Sequence, residues 1–236
     1  MNARIRTLVR TPWFWGLVGI VLLLAINTIK DPTYLAIGIN PTTGLLAGNV
    51  LDILRVSSPI IMIALGMTFV IATSGIDLSV GSIMAVGGAV AMVTLSEIGQ
   101  AESFGAMAAA IGLAVLLGAV LGSINGLLVS VVGLQPFIST LVMMLAARGI
   151  ARVITGGQNT NATNGPFKQI ANGQFFGLPI SFVVAIALVI IVALIMRRTA
   201  LGLMIEAIGI NPRASRLAGI RPKPILITVY VLAAAL

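Results

Sequence analysis

The 236-residue sequence predicts an all-α fold, a polytopic transmembrane helical bundle, and three observations carry that prediction. Hydrophobic residues make up 58% of the chain and charged residues only 8%, where a soluble domain carries about 25% charged residues. Several apolar runs reach the length of about 20 residues that crosses a bilayer. The basic residues gather between runs. The stretch from Arg197 to Lys223 alone holds Arg197, Arg198, Arg213, Arg216, Arg221 and Lys223, six of the fourteen in the chain. A net charge of +8 with a pI near 11.4 therefore reads as basic loops beside a membrane. Membrane lipid is the expected partner and nucleic acid is not.

The elements follow in order. Arg4, Arg6 and Arg10 precede an apolar run from Pro12 to Ile29 with no small-residue cleavage site after it. This predicts an uncleaved first span with the N-terminus in the cytoplasm. Lys30 to Leu51 is a loop rich in Pro, Gly, Asn and Thr. Val56 to Thr73 is span two, Ser74 to Ser79 a break, and Val80 to Ser96 span three. A short acidic loop runs from Glu97 to Ser103. Phe104 to Val132 is span four, too long for one straight crossing, so a tilt or kink is expected. Gly133 to Pro136 is a second break, Phe137 to Ile154 span five, and Thr155 to Leu178 a polar loop. Pro179 to Met196 is span six, and a seventh run starts near Pro224.

Six full spans return the chain to the cytoplasm at Arg197. Nine basic residues then lie inside, and Lys30, Arg55, Arg148, Arg152 and Lys168 lie outside or near the outer face. The bias has the sign that membrane insertion imposes. Arg148 and Arg152 run against it, and either snorkel to the outer interface or line a polar path. Ile225 to Leu236 makes about 18 Å of helix at 1.5 Å per residue, against a hydrocarbon core of roughly 30 Å. The seventh span is therefore expected to be truncated, and residues 1–236 to form one C-terminally incomplete transmembrane domain.

The absences bound the chemistry. The chain has no histidine, which removes His-based acid/base work, His proton relays and the commonest metal ligand; it has no cysteine to indicate a redox compartment. No phosphate-cradling G-x-x-x-x-G-K-[ST] occurs. No catalytic residue, metal or cofactor is predicted, and any ATP-driven work must be powered by another subunit.

Four features carry finer expectations. Span four has small residues every fourth position, at Ala106, Ala110, Ala114, Gly118, Gly122, Gly126 and Ser130, a row that lets helices approach closely. Internal packing and a subunit interface both fit. Asp77 is the one acidic residue between spans two and three. It either caps a helix starting at Leu78 or belongs to a polar path, and the two readings are compatible. Ser79, Asn125 and Gln135 are the other path candidates. Asn161-Ala162-Thr163 matches a glycosylation sequon by chance length alone. Last, Asn211 is a good N-cap, Pro212 suits the first helical position and Gly219 the residue past the end. They predict a helix of about two turns over Arg213 to Ala218, with Ala214, Leu217 and Ala218 on an apolar face.

Three ordered motifs then give the chain a family resemblance over nearly its whole length. They are GMTFVIATSGIDLSVGSI (Gly66 to Ile83), LVMMLAARGIARVITGGQ (Leu141 to Gln158) and ALGLMIEAIGINPRASRLAGI (Ala200 to Ile220). They resemble the permease subunits of bacterial sugar ABC importers, the ribose, xylose and galactofuranose group. The wording of the third is most similar to galactofuranose-type permeases. The resemblance implies a non-enzymatic, multi-pass protein of the bacterial inner membrane that imports a monosaccharide. It implies a second permease subunit, a periplasmic sugar-binding protein and a cytoplasmic ATP-binding subunit as partners. It maps the segment 197–223 onto a cytoplasmic coupling loop, with Glu206, Gly209, Asn211, Arg213, Ala214, Leu217 and Gly219 as its working residues. It also implies about ten spans, more than this chain holds. Import of an autoinducer or a branched-chain amino acid, or ion-coupled carriage, are the alternatives.

Overall fold

The computed structural model describes residues 11–41, 44–99, 102–161 and 163–236. The Arg4, Arg6 and Arg10 cluster lies outside the described residues, as do Thr42, Thr43, Gln100, Ala101 and the central Ala162 of the sequon. The chain divides into two compact units, residues 1–55 and 56–236.

In the first unit, Pro12 sits in the first turn of helix α1 (Pro12–Lys30), where its missing N–H costs no hydrogen bond. Asp31 follows, and its carboxylate accepts bonds from the Thr33 amide at 2.9 Å and the Thr33 hydroxyl at 2.6 Å. These bonds favour the charged form and hold the carboxyl below its ordinary range. A two-residue hairpin, β1 (Gly38–Ile39) with β2 (Leu46–Ala47), pairs Gly38 with Ala47. Helix α2 (Asn49–Ala72) starts here and runs on into the second unit.

The second unit continues with α3 (Val80–Ile98) and α4 (Phe104–Leu127). A π-helical segment, Leu128–Val132, ends the latter. Then come α5 (Pro136–Ile154), the short α6 (Gly165–Asn172), a hairpin of β3 (Gln174–Phe175) with β4 (Leu178–Pro179), and α7 (Ile180–Arg198). The unit closes with α8 (Ala200–Ile210), α9 (Pro212–Leu217) and α10 (Pro222–Ala235). Among the described residues, five helical stretches are long and apolar enough to cross a membrane: Asn49–Ala72, Val80–Ile98, Phe104–Val132, Pro136–Ile154 and Ile180–Arg198. Phe14–Lys30, Ala200–Ile210 and Pro222–Ala235 are shorter apolar helices.

Two expectations are refined. The irregularity anticipated in Phe104 to Val132 is the π-helical segment. Its widened turn ends at Gly133, whose φ of 84° lets its amide bond back to the Leu128 carbonyl. The stretch from Arg197 to Lys223 is not a plain loop. Its first half is α8, with Ile205 and Ile208 buried. Ile205 joins Phe69, Val70, Val192, Val229 and Tyr230 in one core cluster. The apolar spacing of Leu201, Ile205 and Ile208 already carried that signal.

The small-residue row of α4 turns inward in this chain. A Cβ at Gly122 would lie 2.5 Å from the Tyr230 carbonyl oxygen and 2.7 Å from the Ala234 Cβ, and one at Gly126 would lie 2.8 Å from the Ile227 Cα. A Cβ at Gly118 would strike the Ala234 carbonyl. α4 and α10 thus meet backbone to backbone, the close approach that small residues permit in lipid.

Candidate functional site

The break between α2 and α3 is where three of the four path candidates converge. Ser74 leaves α2 with a φ of 59°, a left-handed value that a side chain rarely adopts. Its hydroxyl donates to the Gly209 carbonyl at 2.9 Å, which anchors the turn to the end of α8. Gly209 itself is required there, because a Cβ would run into the Ala72 carbonyl oxygen. The next residue, Gly75, is nearly as confined. A Cβ on it would sit 2.9 Å from the Val70 Cγ1 and 3.3 Å from the Tyr230 hydroxyl.

Asp77 follows, buried at 3% exposure. One carboxylate oxygen accepts from the Ser79 amide at 2.7 Å and the Ser79 hydroxyl at 2.6 Å. This is an Asx turn onto the residue two further on. The cap reading is thereby corrected: α3 begins at Val80 with Ser79 in the cap position, and Ser79 makes no side-chain cap bond. Asp77 orders the turn before the helix instead of closing the helix itself.

Ser79 passes the network on. Its oxygen accepts from the Asn125 side-chain amide at 2.9 Å, and the Ser139 hydroxyl donates to the Asn125 carbonyl at 3.4 Å. Thr140 completes the ring: its hydroxyl accepts from the Leu78 amide at 3.2 Å and lies 2.8 Å from the Pro136 carbonyl. Ser79, Asn125, Ser139 and Thr140 are all buried. Three helices, α3, α4 and α5, are thus cross-bonded at one end through polar side chains that satisfy one another, as buried polar groups must.

Three of the four path candidates, Asp77, Ser79 and Asn125, therefore come together. Gln135 does not; it is exposed, sits before the first turn of α5 and makes no side-chain cap bond. Ser139, Thr140 and Tyr230 were missed. Two adjacent hydroxyls just after Pro136 in an apolar helix were a usable signal. Tyr230 had none, because its proximity to the break depends on how α10 packs.

The segment expected to couple, residues 197–223, forms the second half of the candidate site. Asn211 caps α9 as its residue type predicts, accepting from the Arg213 and Ala214 amides at 3.0 Å each. Gly219 terminates the turn with a φ of 88°. Of the expected residues, Glu206, Asn211, Arg213, Ala214, Leu217 and Gly219 are exposed and Gly209 is half-buried. Leu217 is 92% exposed and Ile210 86%. A two-turn helix thus presents an uncovered leucine beside Arg213 and Arg216.

Sequence comparison places these features in a family. The permease family described as "Branched-chain amino acid transport system / permease component" matches residues 49–236. The chain is 49% identical over 235 residues to the fructose import permease protein of Bifidobacterium longum, covering 98% of this chain and 64% of that protein. It is 37% identical to the galactofuranose transporter permease protein of Escherichia coli, over 92% of this chain and 61% of that one. It is 36% identical to the ribose import permease protein of the same organism, over 92% and 64%. The chain thus spans a little under two thirds of these relatives' length. Identity is higher to the fructose protein than to the galactofuranose one. No solved structure matches the chain. The relatives are transport permeases, and five apolar helices of spanning length make this a multi-pass protein of the bacterial inner membrane. From Asn49 onward its sequence carries the family's pattern, and the chain belongs to the family of branched-chain amino acid transport system permease components.

Proposed function

We propose that the chain is the membrane-spanning permease subunit of an ATP-driven, binding-protein-dependent importer of a monosaccharide. The observation that carries this reading is α9: a capped, exposed helix with Leu217 uncovered, joined through Gly209 and Ser74 to the buried Asp77 cluster. An apolar side chain that exposed, beside Arg213 and Arg216 and at the end of a membrane bundle, suits a protein partner. A cytoplasmic ATP-binding subunit is that partner, since the sequence holds no nucleotide motif of its own. A second permease subunit and a periplasmic sugar-binding protein complete the assembly.

In this reading six spans cross the membrane before Arg197, with the N-terminus in the cytoplasm. Two contacts support the alternation. The Asn164 side chain donates to the Ser103 carbonyl at 3.1 Å, joining the two loops assigned outside. Ser74 meets Gly209, joining two segments assigned inside. Glu206, Gly209, Asn211, Arg213, Ala214, Leu217 and Gly219 seat the coupling segment on the ATPase. Asp77, Ser79 and Asn125 form the closed inner end of the sugar path, and opening exchanges their mutual bonds for sugar hydroxyls. Gln135 lies at its exposed rim.

Fructose is the first sugar to test, because a fructose permease protein is the relative at 49% identity. Burying a leucine contributes about 1.5–3 kcal/mol, or roughly ten- to more than a hundredfold in affinity. Arg213→Glu with Leu217→Glu should therefore abolish co-purification of the ATP-binding subunit. Undiminished co-purification removes the coupling role. Uptake that survives ATP depletion while an ion gradient persists removes the ATP-driven reading. The family description favours one second cargo, a branched-chain amino acid, which competition of labelled fructose uptake by leucine would reveal.

A further inference from the structure

We infer that Arg148 and Arg152 form a binding site for the phosphate headgroup of an anionic phospholipid, in a groove between α3 and α5. The two arginines lie four residues apart on α5, so their side chains share a face. Both are exposed. Neither side chain makes a hydrogen bond or ion pair among the described residues; the salt bridge there joins Arg55 and Asp52. Two unpaired cations in a spanning helix with no other charged residue favour a counter-charge. Their mutual repulsion is relieved by an anion between them and not by a neutral sugar.

The shape of the groove selects the anion. Ala85, Leu145, Arg148, Gly149, Ala151 and Arg152 line a cavity of about 660 Å³. Arg152 also borders an adjoining cavity of about 320 Å³, whose polar wall is Thr155, Gln158, Asn159 and Thr160. Below the arginines the exposed stripe of α5 is apolar: Ile138, Val142 and Leu145 are 49%, 59% and 62% exposed. This stripe faces away from Met143 and Ala147, which pack in the core. It changes from apolar to cationic within one helix, which matches an acyl chain leading to a phosphate. Arg148 lies about 9 Å and Arg152 about 3 Å of helix rise from the end of α5 at Ile154, within the reach of a snorkelling side chain at the interface. Each guanidinium offers a planar fork to phosphate oxygens. The small side chains of Ala85, Gly88 and Ala89 leave the floor open. The binding is independent of the cargo.

Native mass spectrometry of the full chain, released from micelles doped with phosphatidylglycerol or phosphatidylcholine, tests the site. The wild type should retain phosphatidylglycerol in preference to phosphatidylcholine. Arg148→Gln with Arg152→Gln should weaken retention by tenfold or more, since each hydrogen bond to a charged group is worth roughly a factor of ten. Lys30→Gln, which removes a cation at the end of another apolar helix, should leave it unchanged. Should the double variant fail to fold, each single variant should show an intermediate loss, with a far-ultraviolet spectrum equal to wild type. Equal lipid retention by wild type and variants overturns the proposal. So does displacement of the lipid by millimolar inorganic phosphate, which would assign the arginines to a free anion. Loss of sugar or partner-permease binding in the variants, with lipid retention intact, also overturns it.

Discussion

Replacing Gly122 by Ala tests the backbone contact between α4 and α10, and Gly112 on the same helix supplies the control. The added Cβ at Gly122 would stand 2.5 Å from the Tyr230 carbonyl oxygen and 2.7 Å from the Ala234 Cβ, where ordinary contact begins near 3.4 Å. α10 must retreat by up to about 1 Å. A gap of that size forfeits a quarter to a half of each dispersion contact along the interface, and over-packing of this kind costs about 1–3 kcal/mol. At Gly112 nothing lies within 4 Å of the new Cβ. That substitution gains only the helix preference of alanine over glycine, about 0.5–1 kcal/mol. The same gain offsets part of the clash at Gly122, so Gly122→Ala should be destabilised by roughly 0–2.5 kcal/mol while Gly112→Ala is stabilised. Reversible unfolding by titration with dodecyl sulfate, followed by circular dichroism, reads both. A Gly122→Ala chain as stable as Gly112→Ala would refute direct backbone contact at this crossing.

Two further outcomes follow from the site. Asn125→Leu removes the side chain that joins Ser79 to Ser139, and should lower stability by about 1–2 kcal/mol in the same titration; an unchanged midpoint would mean the bonds are not made in the bilayer. Because the chain has no cysteine, single cysteines report sidedness directly. Leu217→Cys should react with an impermeant maleimide only in inverted vesicles and Asn159→Cys only in intact cells, and labelling of both from one side would overturn the alternation.

The helices were largely legible in the sequence because lipid leaves apolar length as the dominant signal. Pro12, Pro136 and Pro212 each mark the first turn of a helix, as proline's fixed φ requires. The Asn211 cap and the Gly219 stop were readable for the same local reason. The misreadings share a different cause. α8 carries apolar spacing of its own, but it is an 11-residue helix flanked by Arg197 and Arg198 on one side and Arg213 on the other, too short to stand out as a span. Asp77 was readable as a polar residue in the break, but its partner two residues on depends on turn geometry that spacing does not reveal. The assembly of Asn125 with Ser139 joins residues 14 apart on separate helices. Ser74 and Gly209 are 135 apart. Such pairings are set by tertiary packing and have no local signature.

The glycine crossing of α4 and α10 has a mechanical meaning. Where two helices touch through side chains, rotamers absorb small displacements. Where the Tyr230, Ala234 and Ile227 backbone lies directly on Gly118, Gly122 and Gly126, no such cushion exists. The pair must translate as a single strut. α10 begins only five residues after α9 ends, past the sharp turn at Gly219. In the proposed coupling role, a push on Leu217 would reach Asn125, on the far helix of that strut, with almost no slack lost along the way.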